Sequence, residues 1–181
     1  MMAEATPFMP VKLICGILAV RDIVFERSME YLKDRFGPID HTSPIMDFKF
    51  TDYYERQMGE GLNRKFVSFV EHVRPESLSD VKIQTNALEE EMKKMFRSVK
   101  RIVNLDPGYM TASALIMATA KDFSHRIPLQ KGIYAHLELL FGKNEVKALP
   151  WTYPDYRTVE YHRFFLEVRK VYLTQLKSQD K

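Results

Sequence analysis

The densest group of residues able to do chemistry is Lys121-Asp122-Phe123-Ser124-His125-Arg126, placed where an apolar strand-like segment ends and a loop longer than a tight hairpin begins. Lys121 and Arg126 suit an anionic group, Lys as a point charge and Arg as a planar fork, and His125 can move a proton near neutral pH with Asp122 orienting it. The bland alternative is a polar turn whose basic neighbours face water. His136 and Glu138 lie two residues apart on one strand face with Tyr134; they extend the Lys121 site or form the solvent face of an antiparallel sheet, depending on a register the sequence leaves open.

Two further segments carry candidates. Asn104-Leu105-Asp106-Pro107-Gly108-Tyr109 offers the Asp106 carboxylate and the Tyr109 phenol beside what reads as an Asp-Pro-Gly turn. Trp151-Thr152-Tyr153-Pro154-Asp155-Tyr156-Arg157 offers an aromatic cluster and Arg157, and equally reads as a helix start with Thr152 and Asp155 forming a capping box. A ligand site would thus use His125 and Asp122 for acid–base work and Lys121, Arg126, Asp106, Tyr109, Tyr134 and Arg157 for binding. No cofactor is named by the sequence and no metal centre is expected; Asp106 and Asp122 are the carboxylates that would serve a hard cation.

Several chemistries are excluded. No glycine loop has the spacing that cradles phosphate, Gly59-Glu60-Gly61 being a connector. The five histidines include no pair at helical i, i+4 spacing, and Gly-x-Ser-x-Gly is absent. One cysteine, Cys15, permits no internal disulfide and suits a reducing, cytoplasmic setting. The net charge of +3 is too small to demand nucleic acid, and the basic cluster from Lys93 to Arg101 reads as a solvated helix end. Leu13 to Val20 is too short to span a bilayer and lacks a cleavage pattern, so neither membrane insertion nor export is expected.

The elements that must position these residues follow from periodicity. Val11 to Ala19 is a continuous apolar run, read as a buried central strand; Asp22 opens a helix through Phe25, Met29, Leu32 and Phe36, stopped by Gly37-Pro38. Ser43 to Phe50 and Phe66 to Val73 read as antiparallel neighbours, Pro75 to Gln84 as a polar link, and Asn86 with Glu89 as the capping box of a second helix. Arg101 to Leu105, Ala112 to Lys121 and Ile133 to Phe141 read as strands, and Tyr161, Phe164, Phe165, Val168 and Tyr172 mark a long amphipathic final helix. The expectation is α+β: an antiparallel or mixed sheet with a ferredoxin-like βαββαβ core, an extra hairpin, and helices largely on one face. Residues 1–181 read as one domain, with 1–10 a loose N-terminal segment. A 181-residue chain, 45% hydrophobic, needs no disulfide or metal to hold such a core.

Read together, the segments 104–109, Ala118-Thr119-Ala120-Lys121-Asp122, His125-Arg126-Ile127, Gly132-Ile133-Tyr134-Ala135, 149–157 and Thr51-Asp52-Tyr53-Tyr54 with Met58-Gly59 resemble an uncharacterised prokaryotic single-domain family. Some members carry the label GTP-binding protein; this chain has neither a Walker-type loop nor an Asn-Lys-x-Asp guanine reader. Two functions are therefore expected to compete. One is a protein, with or without catalysis, that binds a small anionic or phosphate-bearing ligand at strand-end loops. The other is a non-catalytic module that self-associates through sheet edges and the final helix.

Overall fold

A computed structural model describes residues 4–179, with side chains through 178. Its strands form one nine-stranded sheet in which every pairing is antiparallel. The chain runs β1 (Val11–Ala19), α1 (Asp22–Phe36), β2 (Ile39–Thr42), β3 (Met46–Asp47), a one-turn α2 (Glu55–Met58), β4 (Asn63–Val73) and α3 (Leu78–Met95). It continues through β5 (Val103–Met110), β6 (Ala114–Thr119), β7 (Ile127–Pro128), β8 (Tyr134–Phe141), β9 (Val146–Ala148) and α4 (Val159–Gln179). The sheet order is β2-β4-β1-β5-β6-β8-β7, with β3 on β4 and β9 on β8. The architecture is α+β.

β1 sits between β4 and β5 and is buried along its whole length, as its apolar run from Leu13 to Ala19 requires, with Lys12 at its start also buried and paired with Asp40. Its odd-numbered residues, Leu13, Cys15 and Ile17, pack with Val24, Phe25 and Leu32 of α1 and Val81, Leu88 and Met92 of α3. Burial pushes the Cys15 thiol well up, which leaves it a packing residue and not a nucleophile. The opposite face buries Ile14, Phe66, Met110 and Leu139 under Tyr161, Phe164, Phe165 and Val168 of α4. Helices therefore cover both faces, not largely one. With Tyr161, Phe165 and Tyr172 no more than 2% exposed, the apolar stripe of α4 is buried against its own sheet. No helix among the described residues is long and apolar enough to cross a membrane.

Four local readings give way to tertiary context. α3 begins at Leu78, because Leu78, Val81, Leu88 and Met92 keep one helical face through the supposed polar link; Asn86 is mid-helix and caps nothing. The segment Ser43 to Phe50 supplies only β3; β4 pairs along its length with β1, and its other edge is taken mainly by β2, just before that segment. Asp106-Pro107-Gly108 is not a turn: β5 runs straight through it, paired with β1 from Val103 to Met110. Thr152 is likewise no cap, its hydroxyl donating to Glu138 O and accepting from Leu149 N.

Candidate functional site

The site originates in the way β5 and β6 separate. β5 pairs with β1 throughout, but its ladder with β6 covers only Gly108↔Met117, Tyr109↔Ile116 and Met110↔Leu115. Gly108 permits this approach: a Cβ there would meet Met117 Sδ at 2.4 Å and Ile116 O at 2.6 Å. Before Gly108 the ladder stops, and Pro107, which has no N–H to offer, sits at that point. Between the β5 edge and the end of β6 lies a cleft with an aromatic chamber of about 280 Å³ and a polar one of about 170 Å³. The two adjoin, with Tyr53, Tyr54, Asp106, Ala118, Thr119 and Lys121 lining both.

The floor of the aromatic chamber is charged. Arg64, on β4, reaches across β1 at Gly16, where a side chain would meet its Nη1 at 3.0 Å, to Asp106 on β5. Arg64 Nη1 lies 2.6 Å from Asp106 Oδ2, which also accepts from Asn104 Nδ2 at 2.6 Å; Asp155 Oδ2 is 3.6 Å from Arg64 Nη2. Phe48 and Phe66 rings flank the guanidinium at 5.2 and 5.8 Å. Two carboxylates, Asp155 buried and Asp106 partly exposed, thus share one buried guanidinium, and they divide unequally. Burial would raise Asp106, but Arg64, Lys82 and the hydrogen bonds from Arg64 and Asn104 outweigh it and hold its carboxyl below the usual range. Asp155, with the longer contact, is pushed up to about 6, by burial first, against Arg64, and further by the Asp106 and Glu138 charges.

The polar chamber is walled by α3 and by the uncovered edge of β5. With β6 gone, Leu105 presents its backbone groups to side chains: Glu89 Oε1 accepts from Leu105 N at 2.7 Å and Lys82 Nζ donates to Leu105 O at 2.8 Å. Arg101 donates from Nε and Nη2 to Glu89 Oε2 at 2.9 and 2.6 Å and from Nη2 to Asn104 Oδ1 at 2.5 Å. Burial raises the Glu89 carboxyl, opposed by Arg101 and Lys82. Lys121 Nζ enters from the end of β6, 4.1 Å from the centroid of the Tyr53 ring. Among the described residues neither Lys82 nor Lys121 forms an ion pair, and Lys82, only 7% exposed, uses one of its three donors on a protein atom.

Of the residues singled out in the sequence, Lys121 and Asp106 line this cleft. Arg126 lies beside it, donating from Nη2 to Tyr153 Oη at 2.6 Å, from Nη1 to Lys121 O, and from Nε toward His136 Nδ1 at 3.3 Å. His125 is outside the cleft walls, stacked on Trp151 with centroids 5.0 Å apart, its Nε2 3.2 Å from His136 Nδ1. Partial desolvation, then His136 and Arg126, lower its pKa. Asp122 is exposed and makes no hydrogen bond or ion pair among the described residues, so it does not orient His125. Tyr109 packs on the opposite sheet face with Leu78 and Ile133; Tyr134 pairs with Thr119 and Pro128; Arg157 donates to the carbonyls of Leu149, Pro150 and Thr152 and fastens that loop.

His136 and Glu138 are not on a solvent face. A bulge opposite Leu115 and Ile116 falls at Glu138, and His136 and Glu138, two residues apart on one strand face, are both buried, with Nε2 and Oε2 2.8 Å apart. Their angle falls short of a hydrogen bond, while Glu138 Oε1 accepts from Tyr153 N at 2.7 Å. Tyr153 stacks on His136, centroids 5.0 Å apart, so the pair holds the aromatic wall of the cleft in place. Sequence reasoning missed Arg64, Lys82, Glu89 and Asp155 as site residues. The one available signal was polar residues at inward positions of otherwise apolar elements: Lys82 is in register with Leu78 and Glu89 on α3.

Among the described residues no group of three or more His, Cys, Asp and Glu side chains could hold a metal ion. No curated protein and no solved structure matches the chain significantly. A family model described as a domain of unknown function, DUF4416, matches residues 9–172. That span includes every strand and all but the end of α4, and the chain is a member of the DUF4416 family of unknown function.

Proposed function

We propose that the cleft between β5 and β6 binds a small anionic or phosphate-bearing ligand. The observation that carries this reading is the pair Lys82 and Lys121, two ammonium groups in no ion pair among the described residues, facing one chamber beside a largely aromatic one. Lys82 is buried with only the Asp106 and Glu89 charges, outside ion-pair distance, to offset it, Lys121 is exposed beside it, and an anion between them would gain from both. Acid–base work falls to Asp155, not to His125 and Asp122: it lines the cleft, and ionising near 6 it can give or take a proton close to neutrality. The frame is a single domain built on a ferredoxin-like core, a reading supported by the β2-β4-β1-β5 order with α1 and α3 on one face. A cytoplasmic setting agrees with the buried, unpaired Cys15.

Thermal unfolding against inorganic phosphate, pyrophosphate, sugar phosphates and dicarboxylates tests the reading. Binding to the native state adds roughly 2.7 kcal/mol at a hundredfold excess over Kd, and the midpoint should rise for at least one anion. Lys121→Ala and Lys82→Met should each abolish the rise. A midpoint indifferent to every anion refutes the proposal. The second reading, self-association, draws on Phe123, Ile127 and Leu129, exposed beside edge strand β7 at 61, 65 and 41%. Sedimentation of wild type and Ile127→Lys separates it: a dimer lost in the variant favours an interface there.

A further inference from the structure

The polar chamber accounts for an anion but leaves the larger chamber without an occupant. Phe50, Tyr53 and Tyr153 line it while remaining 38, 46 and 36% exposed, three aromatic side chains only partly covered by the protein itself. Its carboxylates and its guanidinium gather in one place, while hydroxyls, phenols, Lys121 and His136 lie elsewhere on the wall. Arg64, Asp106 and Asp155 form one contiguous cluster on the floor, and among the described residues no other side chain hydrogen-bonds to the Asp155 carboxyl, which lies 3.6 Å from Arg64 Nη2. A polyol, with hydroxyls around its ring, would turn several of them against Phe48, Met117 and Pro154 and lose their hydrogen bonds to water. A flat ring with N–H donors along one edge would instead meet the carboxylates on that edge and aromatic surface elsewhere.

Asp106, Thr119 and Lys121 border both chambers, so the ring and the anion belong to one molecule. Resting on the anion reading above, we infer that the cleft takes a planar heteroaromatic ring joined to a single phosphate, in the chemical class of a nucleoside monophosphate. The ring lies in the aromatic chamber with its donor edge toward Asp155 and Asp106, and the phosphate lies beside Lys82 and Lys121. A longer polyphosphate chain has no counterpart here, since the cations of the polar chamber other than these two are already paired, Arg101 with Glu89.

Isothermal titration of the full chain with the four nucleoside 5′-monophosphates, their nucleosides, ribose 5-phosphate and inorganic phosphate decides the matter. At least one monophosphate should bind on the order of tenfold more tightly than ribose 5-phosphate, the difference expected from one stacked ring. Phe50→Ala, at a partly exposed position the fold tolerates, should remove most of that advantage while weakening ribose 5-phosphate far less. Lys82→Met should weaken every phosphate. If ribose 5-phosphate binds as tightly as the monophosphates, the ring is wrong and the anion site stands. If neither the monophosphates nor the simple phosphates bind, the anion reading falls with it.

Discussion

Asp155 provides the most quantitative test of the electrostatics of the cleft. Its carboxyl ionises at about 6 in the folded chain against 3.8 for an unperturbed aspartate. Between these values the native state holds a proton that the unfolded chain has released, so native stability falls as pH rises from about 4 to 6 and levels off above. Each pKa unit is worth about 1.4 kcal/mol, which places the full penalty near about 3 kcal/mol at neutral pH. Asp155→Asn keeps the shape of the protonated acid and cannot ionise. It should match wild type near pH 4 and exceed it at pH 7 by about 3 kcal/mol, or roughly 6–12 °C in Tm for a chain of this size. Urea unfolding at half-unit steps from pH 4 to 8 measures the difference curve directly. Parallel curves for the two proteins, or a variant less stable at pH 7, would refute the claim that Arg64 leaves Asp155 undercompensated.

Other residues give sharper single outcomes. Arg64→Met strands Asp106 and Asp155 in the interior and should cost about 3–5 kcal/mol, with Asp155→Asn in the same chain restoring part of it in a double-mutant cycle. Gly108→Ala forces a methyl onto Met117 and Ile116 O and should cost about 1–3 kcal/mol by chemical denaturation. Trp151, the single tryptophan, stacks on His125, so its fluorescence should titrate with the imidazole at a midpoint below 6.5, and the transition should vanish in His125→Ala.

How much of this was legible in the sequence differs by element and for physical reasons. β1, α1 and the α4 stripe were readable because nothing but burial acts on them, and apolar period reports burial. The elements bordering the cleft were misread because they serve two demands at once. The inward face of α3 is interrupted by Lys82 and Glu89, which satisfy the Leu105 backbone where β6 departs, and the break in hydrophobicity looks like a linker. Asp106-Pro107-Gly108 has the composition of a turn, yet each residue is chosen by the sheet: a carboxylate for Arg64, a missing donor where the ladder ends, a missing side chain under Met117. Lys121 and Asp106 were found from local chemistry. Arg64 was not, since its reach across Gly16 joins strands whose pairing no local pattern specifies.

The central claim, that the opening between β5 and β6 is an anion site, is tested most directly by amide chemical shifts on titrating inorganic phosphate. The account predicts saturable movement concentrated at Asn104, Leu105, Thr119 and Lys121, and its loss in Lys82→Met. Movement confined to the exposed basic residues Lys93 to Lys100, or none at the β5 edge while phosphate accumulates, would contradict it.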